Sequence, residues 1–346
     1  MDIELAARAA HAAERLASVK SSREALVRYG STASWLRSVD RGQLLFANES
    51  VGHSTFQLAG AHALGWEDPG YPRGLRHLSQ PPPALFVRGP QGPLPEAQRC
   101  VAVIGARRCT ESGRAFARDL AGSLARAGLV VVSGLAMGID TAAHEGALDS
   151  GGETVAVLAS AVNDPTPRRN VGLAHEILET SGWLLSERPP GATVRAFDFP
   201  RRNRLVAALV RLVVVVEAGL RSGTLSTVGH ALDLGVDVAA VPGSPTSPAS
   251  AGAHELIRRG AHLVTSYADV LTLLGRRVPA CSTAYDLPAD ADADAVLNGL
   301  PGASGTLEQW ILASKLPRER ALACVHRLLV GGVVRRLPGG RIARVL

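Results

Sequence analysis

The sequence predicts an α/β protein built on a doubly wound, mostly parallel Rossmann-like sheet. Three observations predict it. Between Cys100 and Leu274, short β-branched apolar runs alternate with helical patterns: VAVIGA, LVVVSGLA, TVAVLAS, WLLSE, LVVVVEA, VDVAAVPG and HLVTS. Such runs are apolar throughout rather than at every second residue, the pattern of strands covered on both faces. The loops that follow several of them are polar or carry glycine, as expected where ligands sit beyond the carboxyl ends of parallel strands.

Taken in chain order, residues 1–80 are read as a small all-helical, SAM-like domain, broken at Tyr29-Gly30-Ser31 and Asp68-Pro69-Gly70-Tyr71-Pro72. The proline-rich stretch from Gln80 is expected to be extended chain or turns that open the α/β core, residues 81–274. Residues 275–294 have the proline, acid and small-residue content of a linker. Residues 295–346 show helical patterns and then VVRRLPGGRIARVL, two alternating runs around Pro338-Gly339-Gly340, which is the winged-helix order.

Composition restricts the function. The formal charge is +6, and arginine carries nearly all of the positive charge because Lys20 and Lys315 are the only lysines. Arginine suits phosphate and stacking, which fits a polyanion partner; a general replacement of lysine by arginine fits equally well. The four cysteines have no CxxC spacing, so neither a zinc site nor a disulfide framework is indicated, and they are expected to be reduced thiols. No secretory leader or membrane-spanning run is read, so a cytoplasmic protein is expected.

Four strand-end loops carry the candidate chemistry. IGARRCTESGR sets Gly105, Arg107 and Arg108 before a helix that Thr110 or Ser112 caps. SGLAMGIDTAAH holds Asp140 and His144, read as a helix-start acid and a surface histidine rather than a metal pair. FDFPRRNR brings Arg201, Arg202 and Arg204 to a helix start, where cations oppose the dipole and call for an outside anion. EAGLRSGTLS places Ser222 and Gly223 at a helix start whose amides favour an anion. Glu217, at a strand end, is read as a capping carboxylate. The G-x-G-x-x-G spacing fails after Gly105 and no P-loop is present, so no cofactor is expected.

Block after block and in order, VAVIGARRCTESGR, VVSGLAMGIDTAAHEGAL, VAVLASAVNDPTPRRN, LLSERPPG, FPRRNRLVAAL, VVVVEAGLRSGTL, VPGSP and LIRRGAHLVTS resemble the DNA-processing protein A family, also called DprA or Smf. The resemblance covers residues 71–274. It implies a non-enzymatic single-stranded DNA-binding protein, a homodimer, that protects incoming DNA and helps load the RecA recombinase during natural transformation. Carried over residue by residue, the strand-binding pocket comprises Gly105, Arg107, Arg108, Arg201, Arg202, Asn203 and Arg204, with Ser222 and Gly223 beside it. The resemblance implies an apolar helix on the carboxyl side of the core as the dimer face. Ala106, Ala159, Ala161, Thr166, His254 and Met137 depart from the family pattern, and the Asn163 to Asn170 loop is therefore the weakest candidate contact.

Phe197 and Phe199 are either stacking platforms for unstacked bases or core residues. In the tail, Arg318, Arg320, Arg335, Arg336 and Arg341 are candidate duplex-DNA contacts, on the third helix and wing. Two other readings stay open. A nucleoside-monophosphate phosphoribohydrolase has a related fold, although LRSGTLSTVGHAL lacks the acid that chemistry uses. A duplex-specific regulator working through the winged helix is the other.

Overall fold

The computed structural model describes residues 46–48, 55–58, 61–189, 191–277, 291–299, 304–330, 333–337 and 341–344. The chain divides into two compact units, one ending at Gly275 and one beginning at Arg276.

The first unit is organised by an 11-stranded sheet. Its strands are β1 (Phe46–Asn48), β2 (Thr55–Leu58), β3 (Ala61–Gly65), β4 (Ala84–Arg88), β5 (Cys100–Ile104), β6 (Val130–Ser133), β7 (Thr154–Val157), β8 (Trp183–Ser186), β9 (Leu212–Val215), β10 (Asp237–Ala240) and β11 (His262–Leu263). The order across the sheet is β1-β2-β3-β4-β8-β7-β6-β5-β9-β10-β11. All neighbours from β8 to β11 are parallel, and β1 to β4 add an antiparallel flank onto β8. The seven apolar runs read from the sequence thus form the parallel part.

Helices connect the parallel strands: α2 (Glu111–Arg126), α3 (Ile139–Asp149), α4 (Val171–Glu179), α5 (Asp198–Ala208), α6 (Thr224–Asp233) and α7 (Ala251–Arg258), after a short α1 (Arg73–Arg76) and before α8 (Tyr267–Leu273). The central strands are sealed on both faces. Val101, Val131, Val213 and Val215 have no exposed surface. Full burial of each such side chain stabilises the fold by about 1.5–3 kcal/mol.

The all-helical reading of residues 1–80 is corrected where the chain is described. The described residues between 46 and 65 form three strands, and residues 1–45, 49–54 and 59–60 lie outside the described part. The alanine- and leucine-rich text favours helix locally, but β4 leaves an edge whose backbone groups need partners, and β3 supplies them. Ala61 and Ala63, two apart, are the residues of β3 that disappear into the core. The core therefore begins before residue 81. Within the proline-rich stretch, Ala84, Leu85, Phe86 and Val87 are a fully buried strand.

The second unit contains α9 (Ala291–Gly299), β12 (Ser304–Thr306), α10 (Leu307–Ser314), α11 (Arg318–Val330), β13 (Val334–Arg336) and β14 (Arg341–Arg344). Its strands form a small antiparallel sheet ordered β12-β14-β13. Trp310, Val325 and Leu328 fill its core. A capping box formed by Thr306 and Gln309 starts α10, and Lys315 in a left-handed conformation ends it. Most of the expected linker, residues 278–290, lies outside the described part. Among the described residues no helix is long and apolar enough to cross a membrane.

Candidate functional site

The strand order reverses between β5 and β9, which are neighbours although their helices lead away in opposite directions. A crevice is forced at such a point. Here it is a cleft of about 730 Å³ at the carboxyl ends of these strands.

The loop after β5 is laced between its neighbours. The Ala106 amide donates to the Glu217 carbonyl at 2.8 Å, and the Ile139 amide to the Ala106 carbonyl at 3.3 Å. A Cβ on Gly105 would lie 2.6 Å from Ile139, so only glycine fits. Beyond it Arg107 and Arg108 are exposed at the cleft. The Arg107 guanidinium lies over the Phe199 ring, 5.1 Å from its centre.

In a dinucleotide-binding fold the next helix N-terminus would hold a phosphate. Here α2 is closed from within. Thr110 caps it by accepting from the Gly113 amide at 3.0 Å, and the buried Glu217 carboxylate accepts from the Thr110 amide at 2.9 Å and from its hydroxyl. Glu217 is thus the capping carboxylate expected, and it takes the place an anionic ligand would occupy.

Helix α5 divides the Arg-Arg-Asn-Arg segment by its rotation. With about 100° per residue, Phe199, Arg202, Asn203 and Val206 share the face that lines the cleft, while Arg201 and Arg204 share another. Arg202 is only 6% exposed; it donates to the Val157 carbonyl at 2.6 Å and lies over Gly134, where a Cβ would be 1.9 Å from Nη1. Burial lowers its pKa, with nearby Asp140 opposing the shift. Asn203 donates to the Gly223 carbonyl at 3.4 Å, joining α5 to the loop after β9.

Arg201 and Arg204 do not reach the cleft, contrary to the expectation carried by the resemblance. Arg201 Nε lies 3.1 Å from the buried Glu187 carboxylate, which Arg204 also engages, and Arg204 donates to the Gln80 carbonyl at 2.9 Å. Burial raises the pKa of Glu187, and the two arginines pull it back. The anion that the cationic helix start calls for is therefore this internal carboxylate.

The loop after β9 contributes Arg221, Ser222 and Gly223. The Thr224 amide is taken by Ser222 Oγ at 3.2 Å, and the Leu225 and Ser226 amides by the Ser222 and Gly223 carbonyls. The expected free amides are thus already paired, and an anion here would meet the exposed Arg221 and the Ser222 and Thr224 hydroxyls instead. The resemblance did not carry over Arg221; its signal was an arginine placed directly in a strand-end loop. Among the described residues no carboxylate pairs with Arg107, Arg108 or Arg221.

His144 is not a surface residue. It is wholly buried, with Nδ1 2.7 Å from Thr154 Oγ1, and burial, reinforced by Arg202, pushes its pKa down to about 3. Asp140 accepts from the Gly134 and Ala136 amides at 3.1 and 3.3 Å; burial raises its pKa. The described residues contain no cluster suited to a metal ion. In the Asn163 to Asn170 loop, Asn170 points inward and donates to the Leu135 carbonyl and Thr141 hydroxyl. Phe197 is 56% exposed, which removes core packing as its role.

In the second unit, Arg318 is paired with Glu308 at 2.8 Å and Arg320 with Asp292 at 2.7 Å, while Arg341 donates to Ser304. Arg335 and Arg336 lie on β13.

DNA processing protein DprA of Streptococcus pneumoniae is 42% identical over 201 residues, 58% of this chain and 70% of that protein. Protein Smf of Escherichia coli is 41% identical over 210 residues, 61% of this chain and 56% of that one. The solved structure of the Streptococcus pneumoniae protein superposes with a TM-score of 0.55 at 40% identity, covering 61% of this chain and 73% of that one. DNA processing protein A from Helicobacter pylori, whose structure is described for its single-stranded DNA binding mode, gives 0.54 at 29% identity, covering 61% of this chain and 95% of that one. Residues 62–275 match the model of the DNA recombination-mediator protein A family. Since that match spans well over half of the sequence, the chain belongs to this family.

Proposed function

We propose that the chain is a single-stranded DNA-binding recombination mediator whose α/β cleft holds the strand. The observation that carries this reading is the trio Arg107, Arg108 and Arg221, exposed at the switch-point cleft with no carboxylate pairing them among the described residues, beside Phe199, which lines the same cleft. A basic groove with aromatic side chains is how strands are held without sequence preference. Asp140, which lines the cleft, and Glu217, at the start of α2, are committed to backbone amides, which favours binding over hydrolysis.

Protection of incoming strands, loading of RecA and a cytoplasmic location belong to the same reading, of which the family description, a DNA recombination mediator, supports the recombination role. A homodimer fits a second groove of about 720 Å³, lined by α6, α7 and the last sheet strands. There Leu220 and Leu232 are each 64% exposed, an apolar face that a second copy would cover. The carboxyl-terminal unit reads as a winged helix, but its internally paired Arg318 and Arg320 speak against duplex DNA as its main ligand.

The test is fluorescence anisotropy of a labelled poly-dT strand and of a duplex of equal length, across a salt series, with the intact chain. Tight, salt-sensitive binding of the strand is expected. Binding confined to duplex would remove the cleft as the DNA platform.

A further inference from the structure

Met137 is 43% exposed on the turn between β6 and α3. The turn is not loose. Asp140 holds the Gly134 and Ala136 amides, the Thr141 hydroxyl donates to the Ala136 carbonyl at 2.8 Å, and the Ile139 amide donates to the Ala106 carbonyl. Gly138 has φ of 84°, and a Cβ there would lie 2.3 Å from the Ala106 carbonyl oxygen and 2.6 Å from that of Arg107. Met137 is therefore presented on a rigid turn clamped against the backbone that carries Arg107. Ala136, its neighbour, lines the cleft.

A bound strand needs apolar surface for its unstacked bases as well as cations for its phosphates. One face of Phe199 is already covered by Arg107. An exposed thioether on the turn clamped against the Arg107 backbone offers a polarizable, adaptable contact for a base of any identity. We propose that Met137 is a base-contacting residue of the strand site. The inference rests on the single-strand reading above. The contact is uncharged, so its signature is affinity without a change in salt dependence.

Met137→Ala and Met137→Leu are compared with the unaltered chain in the poly-dT anisotropy series. Met137→Ala is expected to weaken binding about fivefold, the effect of losing about 40 Å² of apolar contact, with an unchanged salt slope. Met137→Leu should restore most of the affinity. In parallel, mild peroxide converts Met137 to its sulfoxide, followed by mass spectrometry against added N-acetylmethionine; poly-dT should slow that conversion selectively. If the unaltered chain binds poly-dT while Met137→Ala binds equally well, or while the strand leaves Met137 oxidation unprotected, the inference falls and the single-strand reading stands. A changed salt slope in Met137→Ala would also overturn it. If the unaltered chain does not bind poly-dT, both fall.

Discussion

Removing single arginines from the cleft should change the salt dependence of strand binding in countable steps. Arg107, Arg108 and Arg221 are the exposed cations at the cleft with no carboxylate pairing them among the described residues. If each meets one phosphate, counterion release on a single strand gives a slope of log K against log salt of about −0.7 per contact, or about −2.1 for three. Between 50 and 200 mM salt the intact chain should then lose affinity by about 18-fold. Arg107→Ala or Arg221→Ala lowers the slope to about −1.4, and the loss over the same range to about 7-fold. Arg204→Gln is the control. Its guanidinium is engaged by Glu187 and the Gln80 carbonyl, so it should lower stability and leave the slope alone. Anisotropy titrations at four or five salt concentrations measure the slopes. Equal slopes for Arg107→Ala and the intact chain, or a reduced slope in a folded Arg204→Gln chain, would refute the assignment of the phosphate contacts.

Further outcomes follow from the same geometry. Glu187→Gln strips two largely buried arginines of their counter-ion and should cost about 3 kcal/mol in urea unfolding. The folded-state pKa of His144, about 3, lies below the ordinary value of 6.5, so its contribution is complete above pH 6.5 and is lost as pH falls toward 3. Between pH 7.5 and 5 the intact chain should lose about 2 kcal/mol that His144→Gln does not lose; parallel losses would refute the burial account. Gly146→Ala puts a Cβ 2.0 Å from the Arg118 carbonyl where α3 crosses α2, and should destabilise by about 3 kcal/mol, read as a lowered urea midpoint. Arg318→Ala combined with Arg320→Ala should leave duplex affinity unchanged, because both side chains already face carboxylates; a clear loss in a duplex titration would restore the tail as a duplex reader.

By itself the sequence determined the seven parallel strands, the helices between them and the loops that meet at the cleft. Apolar runs such as LVVVV can be satisfied only by burial on both faces, and a glycine wedged as tightly as Gly105 marks its own turn. Those are local signals, present whatever the rest of the chain does. Tertiary structure alone decided which arginines face the cleft. Arg201, Arg202 and Arg204 look equivalent in the text, yet the rotation of α5 buries one beneath the cleft wall and turns two toward Glu187, a carboxylate contributed by the end of a different strand. The strands at residues 46–65 were hidden for a related reason. Their residues favour helix locally, and their conformation is set by pairing that begins at the open edge of β4, beside β8, more than a hundred residues further along the chain. Pairing of charges and of sheet edges depends on groups distant in sequence, whereas burial of an apolar run is written in the run itself.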